Sequence, residues 1–217
     1  MSNPLQKAYC INLDRCPQNW KNIQNEWSDV LDIERIPAID GNAVGISGNA
    51  ALRETTFRVF QRMLVENPRY FVLMEDDVYK TEQFNKDVWG RILQFIQNND
   101  NWDMITLDPL DVTGLRAYNS EFTQLSTFTA TGFIIYNTRF IRRNIKRILR
   151  IRGRLDLTLT YRFGDVKLTP SSLLTRQKSG KRSTISRVYR DTEWIDTAYD
   201  KTGVRLQSVQ KKDEECA

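Results

Sequence analysis

Residues 70–78 read Tyr-Phe-Val-Leu-Met-Glu-Asp-Asp-Val, an apolar run that stops abruptly at three adjacent carboxylates. An apolar run over residues 70–74 is typical of a central strand that is buried on both faces of a sheet. Adjacent carboxylates repel one another, so a fold keeps them together only where a cation compensates their charge. The stretch therefore predicts a buried strand that ends in an acidic site.

Side chains alternate along an extended chain, which predicts that Glu75 and Asp77 share one side and that Asp76 lies opposite. Two hard oxygen donors side by side suit Mn²⁺ or Mg²⁺, with water and phosphate oxygens as the remaining ligands. Ligands of open α/β sheets bind at the carboxyl ends of strands, where this triplet falls. An acidic turn that caps the next helix is the alternative, but the fixed position at a strand end favours the metal site.

Around this stretch, short β-type runs alternate with helical periodicities, a pattern that predicts an α/β domain with a mixed, mostly parallel central sheet. The expected strands cover residues 8–13, 33–39, 70–74, 103–107, 127–136 and 166–168. The expected helices cover residues 17–31, 49–67, 84–95, 138–151 and 155–163. No internal repeat or domain boundary interrupts the pattern, so residues 1–205 are expected to form one domain, with residues 206–217 as a tail or linker.

The chain has 217 residues and contains no histidine. This excludes Ser-His-Asp and Cys-His catalysis as well as histidine-ligated zinc, and leaves carboxylates, lysines, tyrosines and arginines for chemistry. The cysteines at positions 10, 16 and 216 form neither an even disulfide framework nor a CxxC pair. With no signal-like apolar segment near the start and no membrane-spanning run, the chain is expected to be cytoplasmic rather than secreted.

Positive charge is concentrated in two stretches, although the formal net charge is only +5. Residues 138–154 hold eight basic side chains and no acid, and residues 171–190 hold six more, again with no acid. Local basic patches on an otherwise acidic chain favour a discrete anionic ligand over general coating of nucleic acid. The alternative for each stretch is a solvated helix face or loop.

Four segments, in this order and spacing, resemble GT-A-fold glycosyltransferases. The similarity is to the lipopolysaccharide-type family 25 enzymes and to the small soluble glycosyltransferases encoded by chlorella viruses. The segments are YCINLDR at 9–15, RIPAIDG at 35–41, FVLMEDDV at 71–78 and TGFIIY at 131–136. The resemblance implies a GT-A-type fold and metal-dependent transfer of a sugar from a UDP-sugar to a glycan or glycoprotein. It also implies a host-cytoplasmic location if the protein is virus-encoded, rather than a membrane-spanning Golgi enzyme.

The resemblance further implies roles for individual residues. Asn12, Leu13 and Arg15 would hold the nucleotide base and ribose, and Asp40 would contact one of these groups. Asp77 would bind the metal ion that bridges to the diphosphate, with Glu75 directed toward ribose or metal and Asp76 toward the transferred sugar.

Arg53 stands where family members carry a histidine, and it keeps a cation near the phosphates. Because the chain lacks histidine, a late aspartate or glutamate, or water, would be the third metal ligand.

An inverting enzyme without histidine must use a carboxylate to take the proton of the acceptor hydroxyl. Asp156 is the candidate base because it begins a predicted short helix and matches an aspartate of family 25 sequences. A plain N-cap role is the alternative, and Asp108, Asp111 and Asp191 are the next candidates for the base.

Two further expectations concern the ligands. The basic loop around Gly180 is a candidate lid over a diphosphate. Trp102, Trp194 and Tyr199 are candidate sugar-stacking rings, although a tryptophan is more often part of the core.

Rival functions differ in measurable ways. A nucleic-acid-binding module would use the basic helix over residues 138–154 and would bind with strong salt dependence but no metal dependence. A catalytically inactive GT-A scaffold would bind glycans without nucleotide. A phosphatase-like nucleophile loop is disfavoured because Glu75, not aspartate, stands first in the triplet. The transferase is the favoured interpretation, with no nucleic acid expected as a partner.

Overall fold

The computed structural model describes residues 6–177, apart from the side chain of Asp111. Twelve strands are present in this part of the chain: β1 (Gln6–Asn12), β2 (Leu31–Pro37), β3 (Tyr70–Glu75), β4 (Val78–Lys80), β5 (Met104–Thr106), β6 (Leu110–Thr113), β7 (Arg116–Ala117), β8 (Phe122–Leu125), β9 (Thr127–Thr129), β10 (Phe133–Asn137), β11 (Lys167–Pro170) and β12 (Thr175–Gln177). The helices are α1 (Pro17–Trp27), α2 (Gly41–Val44), α3 (Gly48–Glu66), α4 (Lys86–Asn98), α5 (Thr138–Ile148) and α6 (Leu155–Arg162).

Eight of these strands form one mixed sheet in the order β2-β1-β3-β10-β5-β11-β8-β7. Strands β1, β2 and β3 are parallel to one another, and β5 is parallel to β11. Strand β10 lies antiparallel between β3 and β5, and β8 is antiparallel to β11. The predicted α/β class with a mixed, largely parallel central sheet is confirmed. Two small ribbons, β12-β4 and β6-β9, flank the main sheet.

Helices cover both faces of the sheet, because its strands are apolar on both sides. On one face, α1 and α4 contribute Ile23, Trp27, Trp89 and Ile92 to a core with Val72 and other strand residues. On the other face, α3, α5 and α6 contribute Phe60, Met63, Phe140, Ile141 and Leu159. None of the helices within residues 6–177 has the length and apolar character needed to cross a bilayer.

Two predicted boundaries are wrong. Leu31 was expected on the first helix, but α1 ends at Trp27 and Leu31 pairs with Gln6 at the start of β2. The helix expected from residue 49 begins at Gly48, and its N-cap is Ser47, whose hydroxyl accepts a hydrogen bond from the Ala50 amide. A serine at this position satisfies an amide that the helix itself leaves unpaired.

Two expected segments also differ in conformation. The predicted strand over residues 127–136 is divided into β9 and β10, because Ala130 adopts a left-handed conformation with φ of 71°. Strand β3 ends at Glu75, and Asp76 and Asp77 form a turn into β4. The triplet therefore is not a continuous extended segment. It does not cap the next helix either, since Asn85 is the N-cap of α4.

Candidate functional site

A cleft opens beside the carboxyl ends of β1 and β3, and it encloses about 830 Å³ including its open mouth. Its apolar lining comes from β1, the segment after β2 and the start of α3: Ile11, Leu13, Ala38, Ile39, Ala51 and Leu52. Its charged lining consists of Arg15, Asp40, Glu75 and Asp76. The cleft therefore combines apolar side chains with a few charged groups, as small-molecule sites usually do.

Arg15 and Asp40 form an ion pair in the lining of this cleft. Arg15 Nε donates to Asp40 Oδ2 over 2.8 Å, and Asp40 Oδ1 accepts from the Asn42 amide over 3.0 Å. The hydrogen bond from Arg15 is the main cause that lowers the pKa of Asp40 below its usual value. Asp40 is also the N-cap of α2, so it is an ionised and positioned carboxylate.

Gly41 allows the tight chain path behind this pair. A Cβ at Gly41 would lie 2.6 Å from the carbonyl oxygen of Ile46, closer than a side chain permits. The short α2 helix can thus fold back against the start of α3, which brings Gly41 and Gly48 into the lining of the same cleft.

Asn12 lies behind the cleft in a hydrogen-bond network that the sequence did not reveal. Its side chain is buried, and its Nδ2 donates to Asp76 Oδ2 over 2.5 Å and to the Cys16 carbonyl over 3.0 Å. Its Oδ1 accepts from Arg35 Nε over 2.7 Å, and Arg35 also binds Asp14 over 2.5 Å. Since its side chain is engaged on both sides by protein groups, Asn12 orients Asp76 rather than lining the cleft.

The acidic triplet is held from its other side by the segment that leads into β10. Thr131 Oγ1 donates to Glu75 Oε1 over 2.7 Å, and the Glu75 amide donates to the Gly132 carbonyl over 2.8 Å. Glu75 and Asp76 line the cleft, whereas Asp77 is not part of its lining. Two carboxylates of the triplet are therefore positioned by neighbouring strands.

Asp108 is a buried carboxyl group that lies behind Gly132. Its side chain is 3% exposed, and its Oδ1 accepts from the Phe133 amide over 3.1 Å. Its Oδ2 is buried without a hydrogen-bond partner among the residues that the structure describes. Burial is the main cause that raises the pKa of Asp108 well above its usual value, and the nearby charges of Glu75 and Asp77 act in the same direction.

The chemistry of the triplet fits a hard divalent cation, because its donors are carboxylate oxygens at an open strand end. Within residues 6–177, no group of three or more acidic, histidine or cysteine side chains could by itself hold a metal ion. A cation bound here would therefore take most of its ligands from water and from phosphate oxygens.

A second, smaller hollow adjoins the cleft and shares Ile11, Leu52 and Glu75 with it. Tyr136 and Leu155 lie in its wall. The pKa of Tyr136 is raised chiefly by burial, and the charges of Glu75 and Asp156 raise it further. Tyr136 is therefore within electrostatic reach of both Glu75 and Asp156.

Two predicted site residues form contacts away from the cleft. The Arg53 guanidinium donates to the carbonyls of Arg152 and Gly153 over 3.0 and 3.2 Å, so it braces the segment between α5 and α6. Asp156 accepts from Arg154 over 2.7 Å, and its side chain is 12% exposed. Asp156 is not the N-cap of α6, which is Arg154.

The predicted sugar-stacking rings and the predicted lid lie either in the core or outside the described residues. Trp102 is a core residue, buried and donating to the Asn99 carbonyl over 2.9 Å, rather than an exposed stacking ring. The loop around Gly180 and the residues Asp191, Trp194 and Tyr199 lie outside the described residues.

Together, the fold and the site define an α/β protein with a cleft, partly lined by carboxylates, at the carboxyl ends of its central strands. No protein-family model matches the chain, and no curated protein matches it. Among solved structures, A197 from STIV is similar over 96% of this chain and 100% of that chain, with 9% identity and a TM-score of 0.44.

Two enzymes are also among the similar structures. UDP-glucose pyrophosphorylase complexed with UDP-glucose is similar over 76% of this chain and 73% of that chain, with 8% identity and a TM-score of 0.42. Mannose-1-phosphate geranyltransferase from Thermus thermophilus is similar over 74% of this chain and 58% of that chain, with 9% identity and a TM-score of 0.37.

Proposed function

We propose that this protein is a metal-dependent glycosyltransferase that moves a sugar from a UDP-sugar to a glycan or glycoprotein acceptor. The observation that carries the proposal is that Glu75 and Asp76 line a cleft that apolar side chains also line. Thr131 and Asn12 hold these two carboxylates by hydrogen bonds of 2.7 and 2.5 Å. The sequence resemblance to GT-A enzymes, carried by residues 9–136, agrees with this chemistry.

The apolar walls suit a flat nucleotide base. Leu13, Ala38 and Leu52 line the cleft and would contact the base, excluding water from its faces. The Arg15–Asp40 pair lies in the same lining, and the ionised Asp40 would accept a hydrogen bond from the base or a ribose hydroxyl.

The acidic triplet suits the diphosphate and the sugar. Glu75 and Asp77 would hold Mn²⁺ or Mg²⁺, and a bound cation would supply positive charge that stabilises the leaving diphosphate. Asp76, oriented by Asn12, would accept a hydrogen bond from a hydroxyl of the transferred sugar. Asp156 would take the proton of the acceptor hydroxyl in an inverting reaction.

Calorimetry with UDP, in the presence and absence of MnCl₂, tests the nucleotide and metal parts of the proposal. We expect UDP binding to depend on Mn²⁺ in the wild-type protein and to be lost in Asp77→Ala. The fold should remain intact in this variant, because removal of one carboxylate relieves repulsion within the triplet. Asp32→Ala is the matched control, since Asp32 is an exposed carboxylate on β2.

Three outcomes would contradict the proposal. The first is no UDP binding with Mn²⁺, and the second is equal UDP affinity in wild type and Asp77→Ala. The third is glycan binding without nucleotide binding, which would indicate an inactive scaffold.

A further inference from the structure

The surface formed by α5, α6 and the segment between them is strongly basic. Within residues 139–162 the only acidic side chain is Asp156. The exposed cations of this segment form what we call the basic face: Arg139, Arg142, Arg143, Lys146, Arg147, Arg150, Arg152, Arg154 and Arg162.

Most of this charge is not neutralised by carboxylates of the described chain. Arg143 pairs with Asp103 over 2.6 Å, and Arg154 pairs with Asp156 over 2.7 Å. Arg139 and Arg142 donate to neutral oxygens of Asp100 and Asn67, which leave the positive charge in place. The other five cations also form no ion pair with any residue in the range 6–177: Lys146, Arg147, Arg150, Arg152 and Arg162.

The packing of α5 fixes these cations at the surface. Phe140, Ile141 and Ile148 are buried on the inner side of the helix, within the core that α3 also joins. The charged side of α5 therefore cannot turn inward, and it presents a row of cations on a rigid element. Arg147 is further held over the ring of Phe163, 4.8 Å from its centroid.

The basic face ends beside the candidate site. Arg53, next to the cleft residue Leu52, binds the backbone of Arg152 and Gly153. Leu155, one residue beyond Arg154, lines the hollow that Glu75 also lines. A large partner bound on the basic face would therefore lie next to the cleft.

We infer that the basic face docks the protein on an anionic lipid bilayer surface. Clustered arginine and lysine side chains bind anionic headgroups, and arginine matches phosphate geometry well. Tyr161, 60% exposed on α6 beside Arg162, supplies an amphipathic ring of the kind found at membrane surfaces. The cations lie on the exposed side of α5, with an exposed aromatic ring beside Arg162, and this combination favours a bilayer surface. Nucleic acid, whose phosphates the same cations would bind, is the alternative outcome of the test. This docking does not depend on the transferase activity.

Binding of the full chain to lipid vesicles tests the inference. Phosphatidylcholine vesicles are compared with vesicles that also contain phosphatidylglycerol, by co-sedimentation at low and at physiological salt. We expect binding only to the anionic vesicles, weakening as salt rises. The double variant Lys146→Gln/Arg150→Gln should bind about 25-fold more weakly, because each cation near a membrane contributes roughly a fivefold gain in affinity.

A matched control separates a specific face from overall charge. Lys21→Gln/Lys86→Gln removes the same charge from exposed positions on α1 and α4, across the sheet from α5. This control should bind within about threefold of wild type. Equal loss in both double variants would overturn the inference, as would equal binding to both vesicle types or no vesicle binding. Tighter binding to duplex RNA than to anionic vesicles at the same salt would replace the bilayer with nucleic acid.

Discussion

The side-chain amide of Asn12 donates to the carboxylate of Asp76 over 2.5 Å, and this hydrogen bond joins the end of β1 to the acidic turn after β3. The same amide group reaches the Cys16 carbonyl, and its oxygen receives Arg35. One buried side chain thus connects three chain segments behind the cleft. The position of Asp76 depends on a residue 64 positions away in the sequence.

Asn12→Ala is expected to lower the free energy of unfolding by about 2–3 kcal/mol, because Asp76, Arg35 and the Cys16 carbonyl each lose a hydrogen bond to this buried side chain. UDP affinity in the presence of Mn²⁺ should fall about tenfold, as Asp76 loses its fixed orientation. Denaturant unfolding and calorimetry measure the two effects. In the control Asn22→Ala, which removes only a contact with Gln18 on α1, stability should change by less than about 0.5 kcal/mol. A loss below about 1 kcal/mol in Asn12→Ala would contradict the network's structural role.

Gly132→Ala is expected to destabilise the protein by about 2–3 kcal/mol, since its Cβ would lie 2.0 Å from Asp108 Oδ2 and 2.9 Å from Val78 Cγ2. Asp108→Ala in the same chain should recover part of that loss, with a coupling energy of about 1 kcal/mol or more in a double-mutant cycle. Gly90→Ala on α4 is the control, because a Cβ at this position would have no atom within 4 Å. This substitution should raise the free energy of unfolding slightly, since alanine favours a helix more than glycine does. Strictly additive effects would mean that the two residues do not crowd each other.

Glu34→Gln should destabilise the protein at neutral pH but not in strong acid. The Arg62 hydrogen bond is the main cause that lowers the pKa of Glu34 to about 2, and Lys7 binds the same carboxylate over 2.9 Å. A lowered folded-state pKa means that the stabilisation is present above pH 4.5 and disappears as the pH falls toward 2. The variant should therefore lose about 1 kcal/mol at neutral pH and almost nothing near pH 2, as measured by urea unfolding.

Glu54→Gln is the control. The Glu54 carboxylate lies 3.9 Å from Arg58, and both side chains are exposed on α3. The free energy of unfolding of this variant should therefore differ little from that of the wild type at either pH. A pH-independent loss in Glu34→Gln would indicate a packing effect instead of an ion pair.

Asp156→Asn is expected to keep the fold and UDP affinity but to lose sugar transfer by roughly 100-fold, because asparagine cannot accept a proton. Asp87→Asn is a close control, since Asp87 occupies the equivalent second position of α4. Both variants should lose similar, small amounts of stability from the first helical turn. Full transfer activity in Asp156→Asn would remove this residue from the mechanism and direct attention to Asp108, Asp111 or Asp191.

Local sequence patterns predicted the elements whose burial repeats regularly. Strand β3 follows from its apolar run, and α5 follows from apolar positions that recur beneath its arginines. Strands β4 and β12 were missed because each has only three residues. They also pair with each other, for example Val78 with Gln177, and these partners lie nearly one hundred positions apart in the sequence. Short polar strands such as β7 carry no periodicity that a local pattern could detect.

The sequence predicted where the acidic triplet lies along the fold but not the contacts that hold it. The carboxylates of residues 75–77 were expected at a strand end, and Glu75 does end β3. The partners that orient them, Asn12, Arg35 and Thr131, come from separate parts of the chain, so their contacts depend on sheet order. The burial of Asp108 could not be predicted from a local pattern, because its side chain is covered by Gly132 only in the folded chain.

Strand β10 joins β1–β3 to the rest of the main sheet, since it alone pairs with both β3 and β5 among the described strands. During synthesis, a ribosome must therefore release the chain through Asn137 before β3 has a partner on its second edge. Until then the apolar residues 71–74 form an open strand edge, which is prone to pair with other chains. Chains truncated before Phe133 should accumulate in aggregates, and chaperone demand should be greatest while the ribosome translates the segment between β5 and β10.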